Sequence, residues 1–407
     1  VQCRLTTTPV QVRGTEFFQG TLASRAEIET VRLFDTTLRD GEQTPRTSFS
    51  YDDKREIAEQ LDAMGTHVIE AGFPVNSDAE FEAVRDIARH TDTTVCGLAR
   101  VVEKDIEAAL DTGVEMVHVF SSTSDVQIED SMHATREEVL ERSVDAVERC
   151  REAGVEVMYS PMDATRTDRE FLVDVVEAVS AAGTDWINVP DTCGVATPTR
   201  FGALIDLVTD HTDARVDVHT HDDFGLAAAN ALAGFENGAE QAQVSVNGIG
   251  ERAGNAAYEE VVMAAESLYG VDTGIDTTGI TRLSRMVEEK SDVPTPSNKP
   301  VVGANAFSHE SGIHAAGVIE NAETFEPGVM TPEMVGATRE LVLGKHTGTH
   351  SVRKRLEEAG FAPTDEEVAR VTRKVKDHGA AKNRVTLSDL EDFAAEVGVE
   401  RTEEARA

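Results

Sequence analysis

Two histidines one residue apart, His219 and His221, close an apolar run in "VDVHTHDDFGLAAAN", just ahead of two aspartates. If that run is a strand, side chains at i and i+2 leave the same face, so both imidazoles point one way. The plainer reading is a His-rich turn or helix cap. Two neutral imidazoles plus a carboxylate form a mixed nitrogen and oxygen set for a divalent ion, with Mn2+ or Mg2+ first and Zn2+ as a further option. "TTLRDGEQTP" offers that carboxylate in Asp40, with Arg39 beside it and Gln43 close behind. An ion next to a guanidinium suits a substrate with adjacent carbonyl and carboxylate oxygens. The ion would chelate both and polarise the carbonyl, and Arg39 would stabilise negative charge developing on oxygen. The alternative for Arg39 is a salt bridge that holds its own loop.

Positioning these groups together requires a particular architecture. Short β-rich runs alternate with longer amphipathic segments: "VRLFD", "HVIEAGF", "TTVCGLA", "EMVHVF", "VEVMYS", "DWINVP", "ARVDVHTH" and "AEQAQVSVNG" each lead into a helical pattern. The helices carry apolar residues at i, i+3, i+4 and i+7. Several stop at a glycine before the next strand: Gly65, Gly113, Gly154, Gly183 and Gly238. Alternation of this kind means parallel strands with helical crossovers. Eight such units between about residues 31 and 270 fit a closed (β/α)8 TIM barrel. An open doubly wound sheet is the runner-up, but no GxGxxG loop follows the first strand.

A barrel places working residues at strand C-terminal ends and in the loops that follow. Unexplained polar residues recur there: Arg39, Asp40 and Gln43 after strand one, Glu70 in strand two, His118 in strand four, Ser160 in strand five, Asp191 and Thr192 after strand six. His219 and His221 end strand seven, and Asn247, Glu251, Arg252 and Asn255 follow strand eight. Closure makes strand one a neighbour of strand eight, which brings Asp40 towards the histidines. Beyond residue 275 the strands stop. "SDVPTPSNKPVVG" reads as a Pro-rich linker, followed by a mostly helical C-terminal extension. The expected organisation is an N-terminal arm over 1–30, the catalytic barrel over 31–275, and linker plus helical subdomain over 276–407, with no separate regulatory domain.

Composition narrows the partners. The 407 residues carry 38 Lys and Arg against 75 Asp and Glu, a formal charge of −37. That excludes nucleic acid and anionic membranes as partners, because phosphate binding needs clustered cations. The acids are spread along the chain, Arg outnumbers Lys and aromatics are few, a halophilic pattern in which concentrated salt screens the self-repulsion. Cys3, Cys96, Cys150 and Cys193 form neither a CxxC pair nor a disulfide framework. With no long apolar span and no signal pattern, the expectation is a cytoplasmic protein acting on small molecules.

"FDTTLRDGEQTP", "HTHDDFGLAAANAL", "NGIGERAGNAAYEE" and "FSHESGIHAAGV" together resemble the family of 2-isopropylmalate, homocitrate and citramalate synthases, acyl-CoA-dependent Claisen condensing enzymes. The resemblance runs from about Val31 to about Arg355 with the motifs in family order. It implies a (β/α)8 barrel with a helical extension, and a reaction joining acetyl-CoA to a 2-oxo acid before thioester hydrolysis. By motif it implies metal ligands at Asp40, His219 and His221, with Asn255 as a weaker ligand or supporting residue, and an essential Arg39. His118, Ser160 and Thr192 match positions that contact the oxo acid. His314 matches a histidine of proton transfer that reaches the partner's barrel, which implies a homodimer; His309 and Glu320 match supporting positions.

Two residues depart from family patterns. Met162 stands where many leucine-pathway members have a glutamate, with Asp163 beside it pointing elsewhere, and Phe325 stands where homocitrate synthases tend to have a tyrosine. Both put more of the proton chemistry on His314 and water. "VHVFSSTSDVQ" and "EAGFPVNSDAEFEAV" look more like the isopropylmalate branch, so the acceptor order is 2-oxoisovalerate, then pyruvate, with 2-oxoglutarate as the homocitrate alternative. A lyase resembling hydroxymethylglutaryl-CoA lyase would usually carry a reactive cysteine near the barrel mouth, which "NGIGERAGN" lacks. A non-catalytic scaffold would not need the full ligand set.

Overall fold

The computed structural model describes residues 28, 31–310, 329–381 and 385–402. Its strands are β1 (Arg32–Asp35), β2 (Val68–Gly72), β3 (Thr94–Arg100), β4 (Met116–Ser122), β5 (Glu156–Met162), β6 (Trp186–Asp191), β7 (Arg215–Thr220) and β8 (Gln241–Val244). They pair in sequence order, and β1 pairs in parallel with β8, Phe34 opposite Gln243 and Asp35 opposite Val244, so the sheet closes. This is the (β/α)8 barrel that the alternation requires. The crossovers are α1 (Tyr51–Ala63), α2 (Asp78–His90), α3 (Glu103–Thr112), α4 (Arg136–Ala153), α5 (Arg169–Ala181), α6 (Pro198–Thr209), α7 (Ala227–Phe235) and α8 (Tyr258–Ala264). Their ends follow local chemistry. Thr135 and Glu138 close a capping box at the start of α4, and Gly154 ends it at φ 81°.

The strand period of two builds the barrel interior in layers. Phe34, Val68, Cys96, Met116, Met158 and Trp186 form one fully buried apolar cluster. Two residues further along, on the same faces, stand Glu70, His118, Ser160 and Asn188, all buried and all polar. Below the apolar layer Arg215 stacks on the Trp186 ring at 4.0 Å and Arg32 lies 5.7 Å from it. The apolar layer is therefore closely packed, and the next layer towards the C-terminal rim is polar.

The chain divides into two compact units, with the change at Thr295/Pro296. Helix α9 (Ile280–Ser291) buries Ile280, Leu283 and Val287 and packs against α1, so the barrel unit extends past the expected boundary at 275. In the second unit β9 (Ser308–His309) pairs with β10 (Glu340–Leu341). Three helices, α10 (Thr349–Glu358), α11 (Asp365–Ala380) and α12 (Leu387–Val397), enclose a core that includes Val352, Leu356, Val371, Val375 and Leu390. This is the helical extension expected from the sequence. Apart from Ile28, the arm over 1–30 lies outside the described residues, as does the segment 311–328. No helix among the described residues is long and apolar enough to cross a membrane.

Candidate metal centre and its surroundings

Strand β7 carries His219 to the rim, and His221 follows just past its end. The loop after β8 turns back beside it: Asp222 donates its N–H to the Gly254 carbonyl at 2.9 Å and Ala256 donates to Thr220 at 3.0 Å. His221 and Asn255 thereby form an isolated antiparallel bridge. After β1 the chain enters a short 3-10 turn, Gly41–Gln43, with Asp40 at its head. The buried Lys54 of α1 braces that loop, donating to the Leu38 carbonyl at 3.1 Å and pairing with Glu42 and Glu80, each at 2.7 Å.

These elements bring Asp40, His219 and His221 into one buried group that could hold a metal ion. The two Nε2 atoms lie 3.1 Å apart, and Asp40 Oδ2 is 3.5 Å from that of His219 and 3.8 Å from that of His221. Ligand bonds of about 2.0–2.2 Å to one shared ion allow such separations. Asp40 Oδ2 and Asn255 Oδ1 are buried without a hydrogen-bond partner, a state that costs free energy unless something electropositive is bound. The donor set and the orphaned oxygens fit a divalent ion.

Electrostatics prepares the ligands. Burial pushes the His219 imidazole down to about 3, helped by His221, so its ring is neutral and its lone pair free. Burial also pushes His221 down. Burial alone would raise the Asp40 carboxyl, but the Arg39 guanidinium beside it holds it below the usual carboxylate range. Arg39 donates to Asp40 Oδ1 at 3.0 Å and to Glu70 Oε2 at 2.6 Å. Burial would lower the guanidinium, yet these two carboxylates raise it. It also lines a cavity of about 670 Å³ with Gln43, Phe49, Tyr51 and Phe73.

The remaining rim residues fall into different environments. Glu70 is fully buried, and both its oxygens are taken, by Thr36 and Arg39 on one and by His118 Nδ1 at 2.7 Å on the other. His118 Nε2 lies 2.6 Å from Ser160 Oγ. Thr192 Oγ1 accepts from the Asp163 N–H, and its carbonyl accepts from Arg252. Asn247 faces away from the metal group, bonded in both directions to Ser284 of α9. Asp222 accepts from the Ala227 N–H at the start of α7, and Asp223 pairs with Arg252.

Asp191 accepts from Val195 and Ala196 and shapes its own loop. Asp163 is buried and bound by Ser124 and Arg166, so it does not replace the acid absent at Met162. His314, Glu320 and Phe325 lie outside the described residues. Three buried polar residues near the site escaped the sequence reading: Lys54, Asn188 and Asp217. The last two were detectable as polar residues at the inward period of "WINVP" and "VDVHTH".

A closed parallel barrel with a two-histidine, one-carboxylate group on its C-terminal rim defines a barrel protein with a candidate divalent-metal centre. The chain belongs to the HMGL-like family, whose model matches residues 30–287; the homocitrate synthase post-HMGL domain-like model matches 301–383. A probable 2-isopropylmalate synthase of Methanopyrus kandleri is 53% identical over 350 residues, covering 86% of this chain and 70% of that protein. A putative (R)-citramalate synthase of the same organism is 46% identical over 370 residues, covering 90% and 72%. Among solved structures, hydroxymethylglutaryl-CoA lyase from Pseudomonas aeruginosa superposes with a TM-score of 0.60 at 26% identity, covering 67% of this chain and 96% of the lyase.

Proposed function

We propose that this chain is a metal-dependent acyltransferase that condenses acetyl-CoA with 2-oxoisovalerate and then hydrolyses the thioester, the 2-isopropylmalate synthase reaction of leucine biosynthesis. The observation that carries the reading is the Asp40–His219–His221 group with Arg39 in contact with its carboxylate. The identity to a probable 2-isopropylmalate synthase supports the choice of acceptor. Mn2+ or Mg2+ is the ion we favour, held by Asp40, His219 and His221 with Asn255 Oδ1 as a further oxygen; Zn2+ is the other candidate. When bound, it supplies Lewis acidity to the keto oxygen and an anchor for the carboxylate.

The chain's own groups do the rest. The acetyl methyl carbon gives up a proton, the resulting carbon nucleophile bonds to the keto carbon, and water later cleaves the C–S bond. Arg39, fixed between Glu70 and Asp40, presents positive charge where the keto oxygen becomes anionic, without reorganising at that moment. Gln43, His118, Ser160 and Thr192 orient the oxo acid. Glu70 stands among these oxo-acid residues and holds Arg39 and His118 in place. The thioether of Met162 takes no proton, which leaves base or relay chemistry to His314 and water. On the family resemblance we read the enzyme as a cytoplasmic homodimer in which His314 serves the partner's barrel. Free Cys96, Cys150 and Cys193 are consistent with a reducing compartment.

Pyruvate is the second reading, favoured by the similarity to a putative citramalate synthase. The two acceptors differ by methyl groups worth only about 1–3 kcal/mol in a pocket. Thiol release from acetyl-CoA, measured in high salt with 2-oxoisovalerate, pyruvate and 2-oxoglutarate, tests both. We expect the highest kcat/KM with 2-oxoisovalerate, loss of turnover with EDTA, and recovery with Mn2+ or Mg2+. CoA release with none of the three acids would sink the reading.

A further inference from the structure

The loops that follow β4 to β8 are joined along the rim by hydrogen bonds whose donors and acceptors are fixed by atom type. Asp163, after β5, accepts from the Ser124 hydroxyl of the loop after β4 and from Arg166 on both oxygens. Its backbone N–H donates to Thr192 Oγ1 at 2.9 Å. Thr192, after β6, presents its carbonyl to Arg252 Nη2 at 2.7 Å. Arg252, after β8, also grips Asp223, after β7: Nε donates to Oδ1 at 2.9 Å and Nη2 to Oδ2 at 3.0 Å. The two protons of Nη2 thus serve different loops, and one guanidinium holds three.

Each of those three loops carries a residue of the site. His221 stands two residues before Asp223 and Asn255 three residues after Arg252. The two meet in the antiparallel bridge beside the metal group. Thr192 belongs to the third loop. Because its Oγ1 accepts a backbone N–H, its own hydroxyl proton can be given to a ligand oxygen. The loops are in close contact. A Cβ at Gly194 would lie 2.6 Å from Asp223 Oδ2 and 3.0 Å from the His221 carbonyl oxygen. Arg252 itself sits in the left-handed region, at φ 59°, a backbone state that persists in a residue with a side chain only where its surroundings hold it. A lone exposed ion pair contributes little. This one is bidentate and adds a third bond to a backbone carbonyl, which fixes direction as well as distance.

We propose that Arg252 is a positioning residue that sets the spacing between the metal-binding end of the site, at His221 and Asn255, and the Thr192 hydroxyl that meets the oxo acid. The role of Thr192 rests on the oxo-acid reading above; the hold on His221 and Asn255 does not. Charge and position predict opposite effects. A guanidinium beside the centre repels a divalent ion, so on charge alone its loss would tighten metal binding. Acting by position, its loss loosens His221 and Asn255 and weakens binding. As a charge it would also draw in both anionic substrates, the CoA ester more than the oxo acid. As a positioning group it favours the oxo acid alone.

Arg252→Gln and Arg252→Lys, in the full chain and in high salt, separate the two. Lysine keeps the charge and loses the planar fork. Calorimetric titration with Mn2+ should show binding weakened about tenfold in both variants, the lower end of the loss that follows removal of a ligand's supporting partner. Steady-state kinetics should show the KM for 2-oxoisovalerate raised about tenfold, the effect of displacing one hydrogen bond to a charged group, with the KM for acetyl-CoA unchanged. Metal binding that is unchanged or tighter in Arg252→Gln overturns the proposal. So does an Arg252→Lys variant that matches the wild type, or a KM that rises for both substrates alike or for neither. Far-ultraviolet dichroism identifies a variant that has not folded, and the other then decides. The titration needs no substrate. It decides the hold on the metal ligands even if no oxo acid is turned over, an outcome that would sink the reading of the reaction by itself.

Discussion

Arg39 is the residue on which charge, geometry and chemistry converge. Its Nε reaches Glu70 at 2.6 Å and a terminal nitrogen reaches Asp40 at 3.0 Å, so two carboxylates fix its plane. A lysine has one compact ammonium and cannot span both while still facing a substrate oxygen. Arg39→Lys should lower kcat/KM by on the order of a hundred- to a thousandfold, with metal affinity changed far less, because Asp40, His219 and His221 remain. Steady-state kinetics beside a calorimetric metal titration would check this. Equal loss of metal binding and turnover would mean that Arg39 serves the ion rather than the substrate.

Among the elements, the loop after β8 decides whether the centre is complete. Gly254 sits at φ 94°, and a Cβ there would lie 1.9 Å from the Gly248 carbonyl oxygen. That close approach lets Asn255 N–H donate to Gly248 at 3.1 Å and sets Asn255 beside His221. Gly254→Ala must open this turn and displace both Asn255 and its bridge to His221. The expected outcome is a ten- to hundredfold weaker metal affinity, the range typical of losing a supporting partner, in a barrel whose far-ultraviolet dichroism is unchanged. Unaltered affinity would show that the loop is not what presents Asn255.

Two features belong to the molecule as a whole. With a charge of −37, self-repulsion opposes the compact state until salt screens it. Raising KCl from about 0.1 M to about 2 M shortens the screening length from about 10 Å to below about 3 Å, and the melting midpoint should rise steadily across that range. A midpoint indifferent to salt would contradict the surface reading. The second feature lies inside. Burial pushes the carboxyls of Asp35 and Asp217 up to about 7, against the hydrogen bonds that Thr37 gives Asp35 and that Asn188 and Gln243 give Asp217.

A folded-state pKa above the unfolded value of about 3.9 means that the native state binds the extra proton. The stabilisation is complete below about pH 4 and is lost as pH rises through about 7. Asp35→Asn removes one such ionisation. It should melt higher than the wild type at pH 8, with the advantage shrinking towards pH 4. An advantage independent of pH would exclude ionisation as its cause.

The order and number of strands, the helix ends and the triad Asp40, His219 and His221 were legible in the sequence. They depend on periodicity, on capping chemistry and on a spacing of two along a strand, all local properties of the chain. The inward polar layer was legible only in part. His118, Ser160 and Glu70 stood out as polar residues in strands, but nothing local named the side chains that each would meet. Closure of the barrel supplied those neighbours. It set Glu70 between Arg39 and His118, and it joined Asp217 to His118 across β6 and β5. Those hydrogen-bond partners lie 28 to 48 residues apart in sequence, so no local property of the chain announces them.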